Sequence, residues 1–421
     1  MMGIPLQLNG GTLEGGKALG NVISNTTSGT VHRWKVLWAA FITYLLDSYD
    51  LFVLAIAMPV LLKVLDISLP EGGLIGSATM AGAVVGGVVF GLIAENYGRR
   101  FSLILALLWL GISMGFIYFI HTWGMWMILR FVTGIAVGGI WGPCSALIAD
   151  HWAPEYRGRA ASLVLSSFAI GAVLASFVGR LVLTTDWRFL FLAGTSSILF
   201  AAMVALMVPP DPVRTGKGTE EKAQRIGIGA IFEKGLARTT LLATLVSVIN
   251  LAGYWGAAYW IPTFLTLERG LSLTTMANFS FFMYIGMFFG FQFFGILSDR
   301  IGRRNAMIVA FIMVALSIAV YIVVPNPIFL FWWGIVVGFG LPGVGGILGA
   351  YFAELFPERI RAYAGGFCWN TGRIGAILAP YTIGYLGKHY GLQIGLAVTC
   401  VVYLLGAALL LLLPETLKRK G

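Results

Sequence analysis

Two aspartates, Asp47 and Asp50, lie one helical turn apart in the apolar stretch FITYLLDSYDLFVLAIAMPVLL, which covers residues 41–62. Residues three apart share one face of a helix, so both carboxyl groups and Tyr44 are expected on the same face. Two neighbouring carboxylates in a poorly solvated site do not both ionise easily, so at least one should bind a proton readily. The spacing therefore predicts a proton switch.

An arginine, Arg373, interrupts a second apolar stretch, GGFCWNTGRIGAILAP. It lies one turn beyond Asn370, so a guanidinium and an amide are predicted on one cavity wall. A guanidinium fits a carboxylate in bidentate geometry. We therefore expect Arg373 to bind an organic anion with help from Asn370, and a role in helix packing or in pairing with an acid remains open.

The segment NLAGYWGAAYWIPTFL carries amide and aromatic side chains at spacings of four residues. Such groups suit an amphipathic substrate pocket. In an alternative interpretation, Trp260 and some of its neighbours belong to the aromatic belt at the membrane interface. The predicted pocket residues are Asn250, Tyr254, Trp255 and Tyr259, with Gln292 from the next span.

Composition indicates the elements that position these groups. The chain has 421 residues, of which 58% are hydrophobic and 11% are charged, against about 25% charged in an average soluble domain. Twelve apolar runs are each long enough to cross a bilayer as a helix, whereas barrel strands would be shorter and would alternate in polarity. We predict an all-α membrane protein with spans near 36–62, 72–94, 101–120, 123–149, 160–183, 187–208, 239–267, 272–297, 304–324, 327–353, 363–386 and 393–413.

The distribution of Lys and Arg predicts the orientation, because basic residues near span ends tend to stay in the cytoplasm. Most of them fall on the side that carries both termini, so both termini are predicted to be cytoplasmic. The net charge of +10 is thus explained by topology, and a nucleic-acid partner is not expected. The predicted division is a flexible tail over 1–33, six-helix bundles over 34–208 and 239–414, a linker over 209–238 and a tail over 415–421.

An internal repeat supports two equivalent halves. GLIAENYGRR begins at Gly91, and GILSDRIGRR begins 204 residues later, at Gly295. We predict that the charges at these positions form a clasp between the halves on the cytoplasmic side, and the alternative is that they only set topology and solvate the loops. The predicted gate comprises Gly91, Glu95, Gly98, Arg99, Arg100, Asp150 and Arg157, with Gly295, Asp299, Gly302, Arg303, Arg304, Glu354 and Arg361.

These loops resemble the G-x-x-x-D-R-x-G-R-R signature of the major facilitator superfamily, with Glu95 and Asn96 departing from it in the first half. DSYD resembles the D-G-[YF]-D signature of its aromatic acid:H+ and sialate or metabolite:H+ symporters, with Ser48 in place of Gly. The segment LRFVTGIAVGG resembles the R-x-x-x-G signature of span 4, which commonly packs near span 1 in this superfamily. The resemblance therefore implies that Arg130 is the counter-charge of the Asp pair, either in proton coupling or as a static ion pair.

The predicted function is proton-coupled uptake, by alternating access, of a small organic anion such as a mono- or aromatic carboxylate. One alternative is a proton-coupled sugar or neutral-metabolite porter, and another is a non-transporting receptor. No Walker loop, metal cluster or membrane-enzyme constellation is visible, so we expect no enzyme activity, no metal and no cofactor other than the coupling proton. The expected location is the cell membrane, which is the inner membrane in a Gram-negative source, with the chain acting as a monomer.

Overall fold

A computed structural model describes residues 12–210, 228–233 and 235–417. Within these ranges the secondary structure is α-helical, with three short 3₁₀ helices and no β-strand. Residues 1–11 and 418–421 of the predicted tails, and residues 211–227 and 234 of the predicted linker, lie outside the described residues.

The helices divide into two groups on either side of the linker. The first group is α1 (Thr12–Val64), α2 (Leu69–Tyr97), α3 (Arg99–Gly115), α4 (Trp123–Gly138), α5 (Trp141–His151), α6 (Pro154–Val182), α7 (Arg188–Leu192) and α8 (Ser197–Met207). The second group is α9 (Ala237–Leu267), α10 (Leu273–Ile301), α11 (Arg303–Val323), α12 (Pro327–Gly340), α13 (Gly345–Leu355), α14 (Arg361–Tyr390) and α15 (Leu392–Leu410). The 3₁₀ helices are Phe116–Phe119, Ala193–Ser196 and Ile228–Phe232.

Eleven helical spans in the described ranges are long and apolar enough to cross a bilayer. The twelfth predicted span corresponds to α14, a 30-residue helix whose many Gly and Tyr residues make it less apolar. Helix α1 begins at Thr12, inside the segment predicted as a tail, and its membrane-spanning part is Arg33–Val64. Helices dominate because lipid offers the backbone no hydrogen-bond partners.

The two halves repeat each other in detail. Gly98 between α2 and α3 has φ +94°, and Gly302 between α10 and α11 has φ +100°, a region that favours glycine. The helix breaks between α4 and α5 and again between α12 and α13, at Gly-rich sequence in both halves. The span predicted near 123–149 and the one predicted near 327–353 are therefore each two helices.

Close packing of α2 on α4 positions the centre of the first half. A Cβ atom on Gly82 would meet the Phe131 carbonyl oxygen, and Gly286, 204 residues later, faces the Ile335 carbonyl oxygen in the same way. Glycine at these positions lets the paired backbones approach closely. The halves contact each other through α2 with α14, α6 with α10 and α1 with α9.

Candidate functional site

Asp50 and Arg130 form a closed pair in the middle of the first half. Two guanidinium N–H groups of Arg130 donate to the two Asp50 carboxylate oxygens, at 2.7 and 2.8 Å. A third, Nε–H, donates to Thr79 Oγ1 on α2 at 3.2 Å. Asp50 is completely buried and Arg130 is 2% exposed. The contact implied by the family resemblance is therefore present, and the hydrogen bond to Thr79 was not predicted.

Asp47, one turn earlier on α1, has a different environment. It is 4% exposed, yet its Oδ1 atom has no hydrogen-bond partner. Among the described residues it forms no ion pair, although Arg373 on α14 lies within electrostatic range. The two acids predicted as one switch therefore differ, because one is fully bonded and the other is not.

Arg373 joins the two halves. Its Nη1–H donates to the Ala83 carbonyl oxygen on α2, at 2.7 Å, and the side chain is half-buried. Gly87, one turn further along α2, lies beside the same guanidinium nitrogen. Arg373 therefore lies at the interface between the halves, where it contacts an element of the opposite half.

Two predicted pocket residues are exposed in this arrangement. Asn370 is exposed, and its amide donates to the Gly366 carbonyl oxygen of its own helix, at 2.9 Å, instead of contacting the Arg373 guanidinium. Gln292 occupies an exposed position on α10 and forms no hydrogen bond with any described residue. Helical spacing fixes the angle around one helix but does not show which helix packs against that face.

The aromatic residues of α9 are buried in the protein. Tyr254, Trp255 and Tyr259 are each less than 10% exposed, as is Asn250. Trp260 is also completely buried, with its indole N–H donating to the Pro380 carbonyl oxygen at 2.8 Å. The belt interpretation is therefore wrong for Trp260, because α9 packs against α14, α15 and α1.

An aromatic cluster lies near the central charges. The ring of Trp255 lies 6.1 Å from Phe52 and 6.5 Å from Phe168, measured between centroids. Tyr44, on the face of α1 that carries Asp47, lies 4.9 Å from Trp141. A small cavity beside Arg130, bordered by Thr79, Trp255 and Tyr259 among others, has room for roughly one water molecule. Sequence reasoning missed Phe52, Phe168 and Trp141, because no charged group or motif distinguishes them from the many other aromatic residues of the spans.

The halves meet tightly at their outer ends. The Tyr259 hydroxyl donates to the Gly72 carbonyl oxygen at the start of α2, at 2.8 Å. A Cβ atom on Gly73 would meet the Pro380 carbonyl oxygen, and one on Gly384 would meet the Leu69 carbonyl oxygen. These contacts close the outer side of the central region.

At the cytoplasmic end, the ion pairs between described residues stay within each half. Arg99 pairs with Asp150 in the first half. Arg303 pairs with Asp299 at 2.5 Å and with Glu354 at 3.2 Å in the second. The predicted clasp between the halves therefore stays a prediction about another conformation.

The remaining gate residues have varied surroundings. Arg100 contacts the Ala205 carbonyl oxygen, and Arg304 donates to the Leu413 carbonyl oxygen at 3.2 Å. Arg157 donates to the Trp152 carbonyl oxygen at 2.8 Å, and Arg361 donates to Glu358 at 2.6 Å. Glu95 is exposed. A Cβ atom on Gly91 or on Gly295 would have no neighbour within 4 Å.

Glu415, which sequence reasoning did not place in the gate, caps the start of α11. Its carboxylate accepts hydrogen bonds from the backbone N–H groups of Arg303 at 2.8 Å and Asn305 at 3.2 Å. Burial alone would raise the pKa of the Glu415 carboxyl, but the backbone donors, which include Leu417 and Thr416, bring this pKa below its ordinary value. The C-terminal segment is thereby joined to the loop after α10.

Comparison with known proteins agrees with this architecture. The family model of the Major Facilitator Superfamily matches residues 40–292 and 243–421. The chain is 29% identical to a probable 4-methylmuconolactone transporter of Cupriavidus pinatubonensis, over 92% of each chain. It is 26% identical to a cis,cis-muconate transport protein of Acinetobacter baylyi, over 88% of this chain and 92% of the relative.

A crystal structure of a D-xylose-proton symporter superposes with a TM-score of 0.77 at 18% identity, covering 91% of this chain and 99% of that one. At this level of identity the likeness shows the fold alone. The relatives are transporters and not enzymes. Together with the eleven membrane-spanning helices of the described ranges, they place the chain in the cell membrane as a multi-pass protein. Its matched sequence and its paired helical bundles make this chain a member of the Major Facilitator Superfamily.

Proposed function

We propose that the protein takes up a small organic anion, such as a mono- or aromatic carboxylate, together with protons by alternating access. A single chain supplies both halves and all of the central charges, so the monomer is the functional unit. Protons are the coupling ions, and no other cofactor takes part.

The observation that carries this proposal is the relation of Asp47 to Arg373. One carboxyl is buried without a hydrogen bond to its Oδ1 atom, and the guanidinium across from it uses Nη1 to bond a backbone carbonyl of the other half. Charged groups inside a membrane protein normally serve an ion or substrate path. Arg373 keeps donors for a solute carboxylate, and Asp47 offers a position for a proton.

The aromatic cluster favours a planar or conjugated acid. Trp255, Phe52 and Phe168 provide apolar ring faces near the central charges, which suits a solute with one charged end and one apolar end. The name of one relative agrees with this chemistry, since it is a benzoate transport protein of Acinetobacter baylyi.

The contacts between the halves suggest how the site changes its access. The present arrangement is closed at the outer ends by Tyr259 and Gly72, while the cytoplasmic ion pairs join residues of the same half. In the opposite arrangement, we expect the outer contacts to separate and the cytoplasmic charges to pair across the halves. Neutralising Asp299 should then shift the protein toward the inward-open state.

Uptake into liposomes tests the proposal. Purified protein is reconstituted, a pH gradient with the acidic side outside is imposed, and uptake of labelled benzoate, nicotinate and xylose is measured. We expect accumulation of at least one acid but not of xylose, and loss of this uptake in Arg373→Ala. The matched control is Arg180→Ala, which removes an exposed arginine near the end of α6. Xylose accumulation that survives Arg373→Ala would contradict the proposal and favour a neutral-solute porter.

A further inference from the structure

Four charged side chains occupy the middle of the bundle in the described part of the chain. They are Asp47, Asp50, Arg130 and Arg373, and the other described charges lie near helix ends or in loops. A net charge that crosses the centre of a bilayer is unfavourable by about a hundredfold in population. The sum of these four charges therefore limits what the site can carry when it changes access.

The pair of Asp50 and Arg130 contributes no net charge. Both carboxylate oxygens and three guanidinium N–H groups are engaged, and both side chains are almost completely buried. Charge-assisted bidentate bonds of this kind are strong, and separating them would leave two buried charges unpaired. The pair is therefore a fixed part of the site.

The variable charge comes from Asp47 and Arg373. Asp47 is 4% exposed, its Oδ1 atom has no hydrogen-bond partner, and it forms no ion pair among the described residues. Among those residues Arg373 bonds only the Ala83 carbonyl oxygen, across the interface between the halves. The ionisable groups within electrostatic range of Asp47 are Tyr44 and Asp50 from α1, Cys144 from α5 and Arg373 from α14, of which only Arg373 is positive. With Asp47 ionised the four charges sum to zero, and with Asp47 protonated they sum to +1.

From this charge count we infer that the site carries one proton with one monoanion, so that transport is electroneutral and dianions are selected against. The inference rests on the proposed function. The empty site is neutral because Asp47 balances Arg373. The loaded site is neutral because the solute carboxylate takes the place of the Asp47 charge while the proton resides on the Asp47 carboxyl. A dianion leaves the loaded site with one uncompensated negative charge.

The response of uptake to membrane voltage distinguishes one proton per monoanion from stoichiometries that move a net charge. Wild-type proteoliposomes are clamped with valinomycin and K⁺ gradients at 0 and 100 mV, and the accumulation of benzoate and nicotinate is measured at several pH gradients. Because the neutral acids also diffuse through the bilayer, the readout is the initial rate of uptake above that of protein-free liposomes. We expect this protein-dependent rate to rise with the pH gradient and not to respond to voltage. A change of about fiftyfold per 100 mV, which one net charge would produce, overturns the inference. If neither acid accumulates under any pH gradient, the proposed function itself fails.

The selection against dianions can be tested with two solutes that share one carbon skeleton and differ in charge. Monomethyl terephthalate is a monoanion at neutral pH, and terephthalate is a dianion of nearly the same size. We expect uptake of terephthalate to be slower by about a hundredfold, the factor for one uncompensated charge. Equal rates for the two would overturn the inference.

The voltage dependence of uptake by Asp47→Asn tests the role of the Asp47 charge, because a merely structural role would not change it. In Asp47→Asn the empty site is fixed at +1, so net benzoate uptake should move one negative charge and become voltage-dependent. Asp66→Asn is the matched control, since it makes the same change outside the bundle at a residue with φ +50°, which Asn tolerates. Voltage-independent net uptake by Asp47→Asn would overturn the inference, and the wild-type measurements decide the question if this variant does not fold.

Discussion

The two aspartates of α1 have the same chemistry and lie one turn apart, but their surroundings differ. Asp50 accepts two hydrogen bonds from Arg130 within one half of the molecule. Asp47 has an unbonded oxygen and faces Arg373, which belongs to the other half. A charge paired within one rigid bundle keeps its partner when the halves move, whereas a charge between the bundles can change its partner. The contrast assigns stability to the first pair and exchange to the second.

Removing the partner of Asp50 should have the largest effect on stability. Arg130→Ala leaves a buried carboxylate without compensation, and breaking a buried pair in this way costs about 3–5 kcal/mol. Asp47→Asn removes a carboxyl that forms no hydrogen bond with any described residue and should shift the unfolding temperature far less. Thermal unfolding in detergent measures both, with Arg180→Ala as the control. Equal losses in the two variants would break the distinction between the acids.

Arg373 should matter for affinity more than for folding. A hydrogen bond to a charged group contributes about 1.5–3 kcal/mol, so Arg373→Ala should raise the apparent KM for a carried acid by about ten- to a hundredfold. Arg373→Lys keeps the charge but loses the bidentate geometry, so its apparent KM should lie between those of the wild type and Arg373→Ala.

A neutral analogue sharpens the same test. Wild-type protein should discriminate benzoate from benzamide in competition for uptake, and Arg373→Ala should lose most of this discrimination. An unchanged ratio of the two inhibition constants would assign Arg373 to helix packing.

The sequence predicted some of these relations and could not predict others. The offset of 204 residues predicted matching loops, and the structure shows them at Gly98 and Gly302 with nearly equal φ. The family resemblance implied the contact of Arg130 with the Asp pair. The bond from Arg373 to the Ala83 carbonyl oxygen could not be anticipated, because a backbone acceptor on another helix leaves no mark in the sequence.

The same limit applies to the side-chain placements. The belt interpretation of Trp260 was wrong, because its position in the segment could not show whether lipid or α14 covers that face of the helix. Helical spacing grouped Asn370 with Arg373, but it could not show that the Asn370 amide bonds its own backbone in this arrangement. Tertiary packing determines both side-chain environments, and packing between helices cannot be derived from the spacing of residues in one sequence.

The aromatic cluster around Trp255, which borders the cavity beside Arg130, should have a moderate effect. An aromatic pair contributes about 0.5–1.5 kcal/mol beyond its buried area, so Trp255→Leu should weaken benzoate uptake by about two- to tenfold. Cyclohexanecarboxylate, which has the same charge and similar size but no π system, should lose less. Equal losses for the two acids would show that Trp255 provides only volume.

The smallest effect is expected at Glu415, a carboxylate outside the membrane-spanning segments. Its backbone donors stay in place, so it is a reference for a carboxylate with fixed partners. The backbone donors at Glu415 lower its pKa below the ordinary value of 4.5, so its stabilisation is present above that pH and is lost as the pH falls through the lowered pKa. Glu415→Gln should therefore reduce stability at pH 7 by about 0.5–1 kcal/mol. The difference from wild type should shrink on acidification, and a constant difference would contradict the role assigned to the charge.

The central claim is that Asp47 is the carboxyl that exchanges the proton. Its most direct test compares two assays on Asp47→Asn in liposomes: exchange of labelled for unlabelled benzoate without a pH gradient, and accumulation driven by a pH gradient. Asp66→Asn again serves as the control. In initial rates measured above those of protein-free liposomes, we predict that exchange persists and that pH-driven uptake disappears in Asp47→Asn, while both persist in the control. Full pH-driven accumulation by Asp47→Asn would contradict the account.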